Sequence, residues 1–185
     1  MKILFLNGPP RAGKDTVGNY LQMHNLGVET AKFAGELKDA VHRAFHLDVD
    51  TDHFESRKDQ PCEEFLGQTP RSVYIAFSER FMKPLYGPGV FGRMLVKTLK
   101  GMEQAGAWLV AITDSGFREE AEEVLKVFPD ALLIRLHRDG TSFVGDSRSY
   151  IQLGIEAVDM RNDSPTAPQT IAEFVIDAFL PPSQR

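Results

Sequence analysis

The chain has 185 residues, 42% of them hydrophobic and 25% charged, an ordinary globular composition with enough length for one sizeable core. A formal net charge of −5 supplies no overall pull toward nucleic acid or an anionic membrane, which leaves a small molecule as the simpler ligand. No apolar run approaches the roughly 18 residues of a membrane span. Ile3–Leu6 is too short for a signal-peptide core, and the single cysteine, Cys62, fits a reducing cytoplasm.

The first element is the apolar run Ile3-Leu4-Phe5-Leu6, which predicts a strand. Gly8-Pro9-Pro10-Arg11-Ala12-Gly13-Lys14-Asp15 follows at once, then helical spacing at Val17, Tyr20 and Leu21. Strand, glycine loop and helix in that order make a phosphate cradle. Glycines let backbone amides wrap closely round phosphate oxygens, the helix turns its positive end to the same anion, and Lys14 reaches the β- and γ-phosphates. Gly8, Arg11, Ala12, Gly13, Lys14, Asp15 and Thr16 are therefore the predicted triphosphate-binding residues. Such loops normally carry Ser or Thr after the lysine, to hold Mg²⁺ by a hydroxyl. This one carries Asp15, a hard oxygen ligand that suits Mg²⁺ directly or through water, and Thr16 is left to donate to a phosphate. ATP and Mg²⁺ are the expected cofactors.

Val28–Phe33 predicts a short second strand. Leu37, Ala40, Val41, Ala44 and Phe45 fall at i, i+3, i+4, i+7 and i+8 and predict an amphipathic helix, with His42 and His46 on a partly exposed face. Residues 48–68 are polar and turn-rich and read as a mobile insertion. Helical spacing resumes from Pro70 through Val73, Ala76, Phe77 and Phe81, is broken by Pro84–Gly89, and returns with Phe91, Leu95 and Leu99. Trp108–Ile112 reads as a buried parallel strand. A helix with Ala121, Val124, Leu125 and Phe128 comes next, then a strand at Ala131–Leu136 and a polar loop at 137–150. A strand at Ala157–Met160 and a helix with Ile171, Phe174, Val175 and Phe179 complete the pattern.

Strands alternating with helices predict an α/β fold of three layers, a parallel sheet with helices on both faces and a ligand at the carboxyl ends of the strands. The expected organisation is one domain over 1–185, with its core in 1–34 and 105–185, a helical insert at 35–104 and a lid at 137–150. The Phe-rich stretch 73–95 is the candidate homodimer interface.

The strand ending in Asp114 carries a second carboxylate to the edge where the phosphate loop lies, where Mg²⁺ and its waters need an acidic partner. A cap on the following helix is the other use for such an aspartate. Phosphoryl transfer gathers negative charge, so its catalysis rests on positioning and on cations at the same sheet edge. Arg118, Arg138 and Arg148 are the predicted catalytic cations beside Lys14, the last two flanking the lid. Lys38 and Arg71, in the insert, are predicted to hold a phosphate of the acceptor.

These residues resemble the P-loop nucleoside monophosphate kinases. Gly-Pro-Pro-Arg-Ala-Gly-Lys-Asp-Thr at 8–16 is similar to the phosphate loop of bacteriophage-type deoxynucleoside monophosphate kinases, where Asp replaces the usual Ser or Thr. Animal-type phosphomevalonate kinases share that variation. Lys32-Phe33-Ala34 leading to Leu37-Lys38, then Thr69-Pro70-Arg71, resembles the part of these kinases that receives the monophosphate. Asp114-Ser115-Gly116-Phe117-Arg118 is similar to the Asp-Gly-Phe-Pro-Arg segment of adenylate kinases, one residue out of step. Arg161-Asn162-Asp163 looks like the loop that packs on the donor adenine, which implies a nucleotide-binding role for Asn162.

The resemblance implies a three-layer P-loop NTPase fold and transfer of the γ-phosphoryl of ATP to a (deoxy)nucleoside monophosphate. The place would be the cytoplasm, or the host cytoplasm for a viral protein. Two other activities compete. One is a kinase of a hydroxymethylated pyrimidine in phage DNA, with Arg57, Lys58, Arg71 and Lys83 lining a basic groove. The other is an ATP-binding regulator without transfer.

Overall fold

Ile3, Leu4, Phe5 and Leu6 are all fully buried, so the strand that carries them, β1 (Lys2–Asn7), must be covered on both faces. The computed structural model describes residues 1–180. In chain order the elements are β1, α1 (Lys14–His24), β2 (Val28–Ala31), α2 (Phe33–Ala44), α3 (Pro70–Ala76), α4 (Lys83–Tyr86), α5 (Val90–Gln104), β3 (Leu109–Ile112), α6 (Arg118–Leu125), β4 (Ala131–His137), β5 (Ala157–Arg161) and α7 (Ala167–Phe179). The strands form one five-stranded, wholly parallel sheet in the order β2-β3-β1-β4-β5.

Alternation along the strands divides the core into two layers. Leu4, Leu6, Leu109, Ala111, Leu132 and Ile134 face Val17 and Leu21 of α1 and Ile171 and Val175 of α7. Ile3, Phe5, Val110, Ile112 and Leu133 face Leu95 and Leu99 of α5 and Ala121 and Val124 of α6. Burying each large side chain of this set contributes about 2–3 kcal/mol before entropy is counted. Phe5 is in register with Ile112 on one side and with Leu133 on the other. That register delivers Gly8, Thr113-Asp114 and Arg138 to the same edge of the sheet.

The segment between α2 and β3 departs from the expectations in two places. Residues 48–68 do not form a loose insertion. They make two short 3₁₀ turns, Glu55–Arg57 and Glu63–Phe65, and bury Phe54 and Phe65 against Val41 and Tyr74 in a third hydrophobic cluster. Two aromatic residues in an otherwise polar stretch suffice to anchor it. His42 is buried in the same cluster, its Nε2 2.7 Å from the Tyr74 hydroxyl, because its face of α2 is the one these aromatics cover. Burial lowers the imidazole from its ordinary value and pushes the Tyr74 hydroxyl up to about 12.

The break expected over Pro84–Gly89 is present, at Gly87–Gly89. Thr69 Oγ1 accepts from Ser72 N at 3.1 Å to start α3, and a π-helical stretch, Phe77–Met82, joins it to α4. The run continues through Pro84, just past the π-helical stretch, and ends at Gly87 with φ of 82°. Ile75, Phe81, Leu85 and Tyr86 of this run are exposed. Among the described residues no helix is long and apolar enough to cross a membrane.

Candidate active site

The loop after β1 is shaped by close approach. A methyl group on Gly8 would sit 2.7 Å from the Leu136 carbonyl oxygen, a backbone atom that cannot give way. Gly13 has φ of 88° and lies directly under the Asn162 amide, so any side chain there meets both strain and collision. Arg11 takes a positive φ of 65° without being glycine, an unusual conformation of the kind found where function constrains a loop. Lys14 folds back over the loop and donates to the carbonyls of Gly8 and Pro9, at 2.8 Å each. Burial, then the charge of Arg148, brings its ammonium down to about 8, while Asp15, Asp114 and Asp146 oppose that shift. The N-terminus of α1, directly behind, carries no side-chain cap.

Asp15 and Asp114 sit differently from one another. Asp15 is exposed, and its Oδ1 accepts from Thr113 Oγ1 at 2.6 Å and lies 3.3 Å from Lys32 Nζ. Asp114 accepts from the backbone amides of Phe33 and Ala34 with its two oxygens, at 2.8 Å each. It therefore caps α2, a helix distant in sequence, and not the helix that follows it. Burial pushes the Asp114 carboxyl up, against the pull of those two amides. Among the described residues no group of three or more His, Cys, Asp or Glu is arranged to hold a metal. A Mg²⁺ here would take one carboxylate and the Thr113 hydroxyl, with phosphate oxygens and water completing its shell, which is the usual habit of that ion. The residues present fit such a group.

The loop 137–150 is tied down at both ends. Arg148 grips Asp146 with two hydrogen bonds, Nε to Oδ1 at 2.8 Å and Nη2 to Oδ2 at 2.6 Å, and its stem lies across Gly116, where a Cβ would collide with it. This pairing holds the Asp146 carboxyl down at about 2. The Tyr150 hydroxyl donates to the Leu136 carbonyl at 3.0 Å, and its ring packs on His137 with centroids 4.6 Å apart. Arg138 Nη1 lies 3.3 Å from the Arg11 carbonyl oxygen.

Asn7, which the sequence reading passed over, joins these parts. Fully buried, it donates to the carbonyls of Ser115 (2.6 Å) and Ser149 (3.0 Å) and accepts from Ile151 N at 3.1 Å. Its one visible signal is a polar residue ending a strand that is otherwise buried.

The other predicted residues are placed as follows. Asn162 braces the phosphate loop, donating to the Ala12 carbonyl at 2.7 Å, and is itself buried. Thr16 is exposed at the start of α1, and Ala12 is fully buried. Arg118 turns along α6 to Glu122 at 2.6 Å, with its side chain 64% exposed, and is not gathered with Lys14 and Arg148. Lys38 is paired with Asp52 at 2.8 Å and Glu55 at 3.1 Å, and Arg71 with Asp59 at 2.5 Å. Lys38 and Arg71 thus come with acidic partners from residues 52–59, which no spacing in the sequence could match to them.

Glu120 is a further buried acid. It lies on α6 with no hydrogen bond to its carboxyl among the described residues, and burial followed by the Asp114 charge pushes it up to about 8, with Lys83 opposing. Between the ordinary glutamate range and that value, the unfolded chain ionises here while the folded chain keeps its proton. Stability therefore falls as pH rises through the window. Glu120→Gln is expected to raise Tm by about 4 °C or more at about pH 8 and to change it little near pH 4.5. Thermal melts at the two pH values check this.

No protein-family model matches the chain, and no curated protein matches it. Solved structures do. A sugar kinase from Janibacter sp. HTCC2649 superposes with a TM-score of 0.53 over 96% of this chain and 93% of its own, at 12% identity. The chain has the P-loop kinase fold. The shikimate kinase of Aquifex aeolicus (TM-score 0.44, 14% identity, 96% of this chain and 95% of that one) is also similar. So is the dephospho-CoA kinase of Campylobacter jejuni (0.46, 13%, 96% and 96%). At these identities the likeness is one of fold.

Proposed function

We propose that this chain is an ATP- and Mg²⁺-dependent phosphotransferase whose acceptor is a (deoxy)nucleoside monophosphate. The observation that carries the reading is the convergence on Lys14: an uncapped helix N-terminus, a glycine loop held by Asn162, and the charges of Arg148, Asp15, Asp114 and Asp146 all meet there. Lys14 and the loop amides would hold the donor phosphates. Asp15, oriented by Thr113, would hold Mg²⁺, with Asp114 acting through water because its oxygens already serve α2. Bound Mg²⁺ supplies charge neutralisation on the β- and γ-phosphate oxygens. Arg148 would steady the transferring group from the lid, and the lid would keep water out. Lys38 and Arg71 would meet the acceptor phosphate, exchanging their carboxylate partners for it.

The alternative of a DNA-borne acceptor gains nothing from the insert. Arg57, Lys58, Arg71 and Lys83 are paired with Glu64, Glu55, Asp59 and Glu79, so a polyanion along the groove would have to displace all four carboxylates, where a single acceptor phosphate displaces only the partners of Lys38 and Arg71. The test is an ADP-release assay with ATP and Mg²⁺ across the common ribo- and deoxyribonucleoside monophosphates, beside non-phosphorylated hydroxyl acceptors. Turnover with at least one monophosphate is expected. Turnover confined to unphosphorylated acceptors would move the assignment to another kinase class.

A further inference from the structure

Lys32 has no part in the function described so far. It stands after β2 in the capping position of α2, and its Nζ lies 3.3 Å from Asp15 Oδ1 and 3.3 Å from Asp52 Oδ2. Asp52, from the insert, is held in turn by Lys38 at 2.8 Å, and Lys38 also reaches Glu55 at 3.1 Å. Charges alternate along this path from the phosphate loop into the acceptor side: Asp15, Lys32, Asp52, Lys38, Glu55. The side chains of Lys32 and Asp52 are 34% and 49% exposed, so neither is locked in place by burial.

We propose that Lys32 is a positioning residue through which the insert controls the metal carboxylate Asp15. One ammonium shared by two carboxylates is drawn toward whichever side carries more negative charge. Held by Asp52, it leaves Asp15 open to a cation. Left to Asp15 alone, it competes with that cation for the same oxygen. An anionic acceptor group arriving between Lys32 and Lys38 adds to the pull of Asp52. Acceptor and metal–nucleotide would then favour each other's binding, in both directions.

This inference rests on Asp15 being the Mg²⁺ ligand, and its test separates the two ideas. ADP binding is measured by calorimetry with and without Mg²⁺ on wild type, Lys32→Met and Asp52→Asn, with thermal melts to verify folding. The readout is the ratio of the two affinities, which discounts any direct attraction between Lys32 and the nucleotide. Lys32→Met removes the competitor and is expected to raise the ratio by about three- to five-fold. Asp52→Asn, isosteric and still carrying Lys32, is expected to lower it by a similar factor. Variants that move the ratio in the same direction, or leave it unmoved, overturn the coupling. A lysine that served only as a strap between insert and loop would weaken binding in both. If wild type fails to bind ADP with the metal present, the nucleotide assignment falls first and the coupling with it. If wild type binds and the variants are flat, the coupling alone is lost.

Discussion

Replacing Lys14 with alanine is expected to lower kcat/KM for phosphoryl transfer by about 10³-fold or more while leaving the fold intact. The ammonium bonds the carbonyls of Gly8 and Pro9, both inside the loop, so its loss removes no contact between elements. What goes is the positive charge at the point where donor phosphates would gather, in a partly desolvated setting where a charge counts for more than in water. Burial has already brought this group down to about 8, which means that its charge is held at a cost and would be stabilised by an arriving anion. Steady-state kinetics on the variant, beside a melting curve within a few degrees of wild type, check both halves of the statement. Activity within a few-fold of wild type would sink the assignment of the loop.

Arg148→Ala is expected to lower kcat by about 10²- to 10³-fold and to loosen the loop 137–150. The guanidinium does three things together. It makes a two-pronged contact with Asp146, its stem lies across Gly116 in the loop after β3, and its charge reaches both Lys14 and Asp114. Lysine cannot reproduce the two-pronged geometry, so Arg148→Lys should recover little. Asp146→Ala should also impair the lid, and the double variant should be no worse than Arg148→Ala alone, because the pair acts as a unit. Kinetics of the three variants, with limited proteolysis of the 137–150 stretch, provide the check. Additive losses would show that the two residues work separately.

Much of the sheet was legible because a buried parallel strand has a simple signature. Ile3–Leu6, Trp108–Ile112 and Ala131–Leu136 are largely apolar runs bounded by turn residues, and each contains a strand, the second starting one residue later at Leu109. The phosphate loop was equally plain, since its function demands contiguous residues: two glycines at fixed spacing, a lysine, and a helix behind. The ends of elements were less visible. The break expected over Pro84–Gly89 falls at Gly87, because the helical run passes through Pro84 after the π-helical stretch.

The insert was read with the least success, and the reason is physical. Its core consists of isolated aromatics, Phe54, Phe65 and Tyr74, drawn from different short elements around His42. None of them forms a periodic pattern by itself, so the stretch 48–68 looks polar until its neighbours are known. Ion pairs are hidden for the same reason. Arg71 and Asp59, or Lys38 and Asp52, are separated by enough chain that only folding decides which charge meets which.

By itself, then, the order of residues determined the parallel α/β sheet, the position of the phosphate loop and the carboxylate that replaces its usual hydroxyl. These follow from local chemistry: apolar runs, glycine conformations and the reach of one lysine. Tertiary structure alone decided that Asp114 caps α2, that Asn162 holds the Ala12 carbonyl, and that Lys32 is divided between Asp15 and Asp52. Each joins residues far apart in the chain that strand register and helix packing bring together, and short-range pattern carries no information about such partners.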